Sequence, residues 1–141
     1  MAYWLVKSEP SAFSWDDLVA RGKMGEPWTG VRNHTAKQNL MKMRKGERAF
    51  FYHSVEEKRI VGIAEVIREH YPDPTAEPGA PWVAIDVKAV APLPKPVTLV
   101  AARGDKRLKD MVLVNNTRLS VQPVTEAEWK AVCAMGGVKG L

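Results

Sequence analysis

Four short segments bring together side chains able to hold a planar, hydrogen-bonding ligand: Lys7-Ser8-Glu9-Pro10, Trp28-Thr29-Gly30-Val31-Arg32-Asn33, Phe51-Tyr52-His53-Ser54 and Arg118-Leu119-Ser120-Val121-Gln122. An aromatic face beside a few polar groups is the composition of a pocket for a base swung out of its stack. On that reading Trp28 forms the wall, and Asn33 or Ser8 meets an edge of the heterocycle. The plainer alternative makes Trp28 a core tryptophan under a loop, with Tyr52 and His53 packed inside a strand.

Other chemistries fit the residues less well. His34, His53 and His70 stand far apart, and with one cysteine the chain has neither a multi-cysteine zinc site nor an intrachain disulfide. Ser54, His53 and Asp86 assemble on paper into a nucleophile set, but no GxSxG turn accompanies them. Gly22-Lys23-Met24-Gly25 is too short for a phosphate-cradling loop and lacks its Lys-Ser/Thr ending. Cys133 follows Val132 and Trp129 on one apolar helix face, where packing accounts for it.

The elements that must position these groups are short. Tyr3 to Lys7 reads as a strand stopped at Ser8-Glu9-Pro10, and Ser14 caps a helix reaching about Arg21. Trp28 to Val31 falls in a loop, and Asn33 caps a second helix that closes at Gly46. Ala49 to His53 and Arg59 to Ile67 form an antiparallel hairpin; Tyr71 to Pro81 is a Pro-rich loop. A strand from Trp82 to Val90 is stopped by Pro92, Pro94 and Pro96, Thr98 to Arg103 makes a helical turn or two, and Leu108 to Leu113 is irregular. Leu119 to Val124 closes the sheet, and Thr125 with Glu128 signs the capping box of a last helix. This order lacks regular βα alternation, so the expected fold is α+β: a small, bent, mixed β-barrel of five to six strands with flanking helices. No linker or repeat divides the 141 residues, which are read as one domain.

Charge is uneven. Lys and Arg outnumber Asp and Glu by 21 to 16. The stretch from Arg21 to Arg48 carries eight basic residues against Glu26 and Glu47, and Arg103 to Arg118 carries five against Asp105 and Asp110. Such clusters attract polyanions, although Lys37 to Lys45 taken alone reads more simply as a solvated helix face. No apolar run is long enough to span a bilayer and no signal-peptide pattern opens the chain, so a cytoplasmic protein without membrane contact is expected, with a monomer favoured. Of the five tryptophans, Trp4, Trp15, Trp82 and Trp129 fit core patterns, and Trp28 alone sits between polar groups in a Gly-containing loop.

With these blocks in order from residue 2 to about 136, together with Val61-Gly62-Ile63-Ala64-Glu65-Val66 and the Glu128-Trp129 pair, the chain resembles the EVE domain, a PUA-like family related to the YTH readers of methylated RNA. Glu47 where Asp is expected, and Asn116-Thr117 ahead of Arg118, depart from the pattern at the rim. The resemblance implies a PUA-like barrel that binds a modified base, modified cytosine in DNA or a modified RNA base, without a cofactor. Carried over by position, it gives Lys7, Ser8 and Glu9 at the end of the first strand and Trp28, Gly30, Val31 and Asn33 in the following loop. Tyr52, His53 and Ser54 line the side, and Leu119, Ser120 and Val121 the back. Arg32, Lys37 and Arg118 are assigned to phosphates from charge and proximity in sequence.

The reading that follows is a non-catalytic nucleic-acid-binding module, in which Trp28→Ala abolishes the preference for a modified base and leaves the fold intact. Two rivals stand beside it: an enzyme acting on a nucleotide or RNA base through Lys7, Glu9 or His53, and a basic module that docks an acidic protein.

Overall fold

A computed structural model describes residues 1–140. Six strands, β1 (Tyr3–Ser8), β2 (Glu26–Trp28), β3 (Arg48–His53), β4 (Arg59–Pro72), β5 (Val83–Thr98) and β6 (Val121–Val124), form one sheet in the order β2-β5-β4-β3-β1-β6. Only β1 and β3 pair in parallel; the other neighbours are antiparallel. The parallel pair requires a crossover, which the intervening segment supplies with α1 (Trp15–Ala20), β2 and α2 (His34–Lys42). α3 (Leu99–Arg103), α4 (Val112–Asn115) and α5 (Glu126–Gly136) complete an α+β fold.

Strand alternation sends neighbouring side chains to opposite faces, and both faces are buried. Trp4, Val6, Ala49 and Phe51 enter one core with Ala36, Leu40 and Met43 near α2. Leu5, Phe50 and Tyr52 enter the other with Trp129, Val132 and Cys133 of α5. The sheet stays open between its edge strands β2 and β6. α2 packs against β6 and β5, and the Asn39 amide donates to the Val121 carbonyl at 2.8 Å.

The local signals hold. Ser14 and Asp17 form a capping box on α1, Asn33 accepts from the Ala36 N–H, and Thr125 with Glu128 boxes α5. Three expectations change. Trp28, expected to begin a loop, instead ends the edge strand Glu26–Trp28, paired to Ile85–Val87. β4 continues to Pro72. β5 runs through all three prolines, because Gly62 pairs Pro92 while Ile60 pairs Val97. Four residues of β5 therefore oppose one of β4, and Pro94 and Pro96 fall in the bulge, where no ladder N–H is needed.

The Glu47 departure also has a structural role. Its buried carboxylate accepts from the Trp4 indole at 2.9 Å, from the Ala2 N–H at 3.0 Å and from the Arg44 N–H at 2.8 Å, tying the start of β1 to the turn before β3.

Candidate functional site

Two clefts open where β1 ends, and Lys7 and Ser120 line both. The first, of about 350 Å³, is lined by Ser8, Glu9, Trp28, Gly30, Val31 and Arg32 among the expected residues, joined by Phe13, Glu26 and Thr29. The second, of about 430 Å³, takes Tyr52, Ser54 and Arg118. The single pocket expected from sequence is thus split along the Lys7–Ser120 seam, where the Lys7 N–H donates to the Ser120 carbonyl at 3.0 Å.

Chain geometry explains the first cleft. After β1 the backbone turns so that the Ala12 and Phe13 N–H groups donate to the Glu9 carbonyl, and the Ser8 hydroxyl donates to the Phe13 carbonyl at 2.5 Å. This places the Phe13 ring edge-on to Trp28, with centroids 6.4 Å apart. Trp28 in turn meets Phe51 edge-to-face at 5.6 Å and is only 8% exposed. It is a core side chain that presents part of itself to a cleft, not a free stacking wall. The Glu9 carboxylate is exposed at the mouth, whereas that of Glu26 pairs with Arg21 at 3.1 Å.

The far wall depends on a residue that sequence reasoning missed. Asp73 is buried and accepts from the Gly30 N–H at 2.8 Å, the Arg32 guanidinium at 2.9 Å, the Thr75 hydroxyl at 2.6 Å and the Thr75 N–H at 2.7 Å. Burial alone would push its carboxyl up, but the bonds from Thr75, Gly30 and Arg32 outweigh it and hold the pKa at about 2. Asp73-Pro74-Thr75, an aspartate whose side chain bonds a backbone N–H two residues on, was the available signal. Arg32 also donates to the carbonyl of Val31 and to the Thr75 hydroxyl. It staples the loop through these bonds, and its side chain, assigned to phosphate from sequence, stays 40% exposed at the first cleft.

Four other expected pocket residues lie elsewhere. Asn33 is exposed and uses its side-chain oxygen to cap α2, because that helix start needs an acceptor for the Ala36 N–H. Val121 is fully buried in the core, and Leu119 packs against the same cluster, since side chains entering β6 point inward. His53 is buried: its Nε2 accepts from the Trp15 N–H at 3.0 Å, which leaves the proton on Nδ1, 2.9 Å from Glu57 Oε1. Both ring nitrogens are occupied, so His53 is withdrawn from the acid or base role considered for it. Lys37, on α2, lines neither cleft.

The tryptophans also sort differently. Trp82 is the partly exposed one, tilted against His34 at 4.8 Å and 5.9 Å from the Arg32 guanidinium; the other four are buried. Cys133 is buried in the second core, and burial pushes its thiol up.

The basic stretch from Arg21 to Arg48 is less cationic in three dimensions than in sequence. Arg21, Arg32, Arg44 and Arg48 pair with Glu26, Asp73, Glu69 and Glu65, three of which come from β4 or the loop after it. No helix among the described residues is long and apolar enough to cross a membrane.

The EVE domain family model matches residues 2–135. Human thymocyte nuclear protein 1 is 33% identical over 165 aligned positions, covering 95% of this chain and 73% of that protein. The solved structure of Rpa0253 from Rhodopseudomonas palustris is 60% identical, with a TM-score of 0.94 over 100% of this chain and 97% of that one. The human THYN1 protein, solved in complex with 5-methylcytosine containing DNA, is 32% identical with a TM-score of 0.89, covering 99% of this chain and 100% of that one. With the family model spanning nearly its whole length and the fold shared with these structures, the chain belongs to the EVE domain family.

Proposed function

We propose that residues 1–141 act as one non-catalytic module that reads a modified nucleobase, with 5-methylcytosine in DNA the first candidate and a modified RNA base the second. The observation that carries this is the first cleft: two aromatic rings, Phe13 and Trp28, beside the exposed Glu9 carboxylate. Its volume of about 350 Å³ lies at the small end of the roughly 300–1,000 Å³ typical of ligand sites, as a single base requires. A glutamate acceptor suits the exocyclic amino group of cytosine. The DNA complex of the human THYN1 protein supports the same ligand class.

Magnitudes set what the cleft must do. Contact with an aromatic side chain is worth about 1–3 kcal/mol per base, and burying one methyl about 0.8 kcal/mol, close to a fourfold preference. Extruding the base from a duplex costs a few kcal/mol, so single-stranded or damaged sites bind more readily. The test is a titration of the protein with DNA and RNA oligonucleotides carrying cytosine or 5-methylcytosine, at two salt concentrations. A preference for the methylated DNA strand of about fourfold or more is expected. Equal affinity for every oligonucleotide would overturn the reading, and recovery of a chemically altered base would overturn its non-catalytic part.

A further inference from the structure

The second cleft collects cations that sequence scatters. Lys7 from β1, Lys58 from the β3–β4 turn, Arg103 at the end of α3 and Arg118 ahead of β6 all line it, and no carboxylate among the described residues does. None of the four belongs to an ion pair among the described residues, in contrast to the paired arginines of the Arg21–Arg48 stretch. Lys7 is half-buried there: its ammonium donates to the Thr117 carbonyl and stands 5.5 Å from the Tyr52 ring centroid. Burial pushes the Tyr52 phenol up, and the charge of Arg103 opposes that shift.

The rim is also conformationally specified. Val55 and Lys58 are the two residues other than glycine with a positive φ among the described residues, at 72° and 49°, and both line this cleft. A β-branched residue in that region is held by its surroundings against its own preference.

We infer that this second cleft is a phosphodiester-binding site, taking the backbone of the same polynucleotide strand whose base occupies the first cleft. The inference rests on the base-reading function and adds to it the path of the strand, which crosses the Lys7–Ser120 seam from one cleft to the other. Lys7 contributes to both, and Lys58, Arg103 and Arg118 supply attraction that does not depend on sequence or modification.

The experiment uses a Lys58→Asn/Arg103→Ala double variant; both residues are exposed, and asparagine tolerates the backbone at position 58. A Lys42→Ala/Lys45→Ala variant on the other basic surface is the control. Affinity for methylated and unmethylated single-stranded oligonucleotides is measured across a salt series. Removing one cation from a phosphate flattens the slope of log K against log salt by roughly 0.7 on a single strand, so the slope should fall by roughly 1.4 in the double variant and stay the same in the control. The double variant's preference for the methylated strand should be unchanged. In parallel, inorganic phosphate titrated into the labelled wild-type protein should move the amide resonances of Lys7, Val55, Lys58, Arg103 and Arg118.

An unchanged slope in the double variant, an equal flattening in the control, or phosphate shifts confined to other residues would each overturn the inference. Failure of the base reading has a different signature: wild type binds both oligonucleotides equally, while phosphate still perturbs the second cleft.

Discussion

The Gly30 N–H donates to the Asp73 carboxylate at 2.8 Å, joining the loop after β2 to the turn after β4 across 43 positions. One buried anion thereby holds the far wall of the first cleft, with Arg32 and Thr75 gathered on the same carboxylate. The Asp73 pKa, held at about 2 against an ordinary 3.8, has a definite thermodynamic sign. The folded state binds the proton less readily than the unfolded chain, so the stabilisation is fully present above about pH 4 and is lost as pH falls towards 2. Asp73→Asn should cost on the order of 2 kcal/mol at neutral pH and remove this part of the acid dependence. Thermal unfolding of both proteins between pH 7 and pH 2 checks it: their curves should converge at the acid end.

Trp28→Ala cannot leave the fold untouched. The side chain is 8% exposed and wedged between Phe13 and Phe51, and large-to-small changes at such sites cost about 3–5 kcal/mol. Denaturant unfolding should report that loss. Gly30→Ala is the cleaner probe of the cleft, since a Cβ there meets no protein atom within 4 Å and projects into open space. Its φ of 81° makes the alanine strained by roughly 1–2 kcal/mol, so the variant should fold with a modestly lowered melting temperature. Oligonucleotide titration should find its preference for a modified base reduced; an undiminished preference would remove Gly30 from the site.

Gly62 exists to receive Trp15. A Cβ at this position would lie 2.5 Å from the indole ring, well inside contact distance. Gly62→Ala must push the ring off β4 or displace α1, and overpacking of this kind typically costs about 1–3 kcal/mol or more. The expected result is a lowered denaturation midpoint with an altered indole environment in near-ultraviolet circular dichroism.

His53 should be found as the tautomer with its proton on Nδ1, because Nε2 is the acceptor for the Trp15 N–H. Nitrogen-15 imidazole spectra distinguish the two nitrogens directly, and a protonated Nε2 would contradict the structure. His53→Ala leaves the buried Trp15 N–H without a partner, at an expected cost of about 1–3 kcal/mol.

Whatever is decided within a few residues could be read from sequence. The Ser14–Asp17 and Thr125–Glu128 boxes, the Asn33 cap and the hairpin around Ser54 are local arrangements between neighbouring groups. Contacts made across long separations could not be read so. β2 is a strand only because β5 lies beside it, and Pro94 and Pro96 are tolerated only because the pairing slips past them. The same limit governs the site. Lys7, Ser8, Glu9, Trp28 and Gly30 meet in one cleft as expected, while Asp73, Phe13 and the Lys58–Arg103 pair arrive from segments with no shared local signature. Charge counted along the chain favoured Arg21 to Arg48, whose arginines are largely neutralised by acids from other parts of the chain.

The placement of β1 between β3 and β6 also orders events in time. During synthesis β1 can join β3 early, but its other edge stays unpaired until Val121–Val124 leaves the ribosome. Ser120, which with Lys7 forms the seam between the clefts, arrives with that last strand. Such a long-range closure is slow compared with local pairing, so a partly made chain carries an open sheet edge and neither cleft complete.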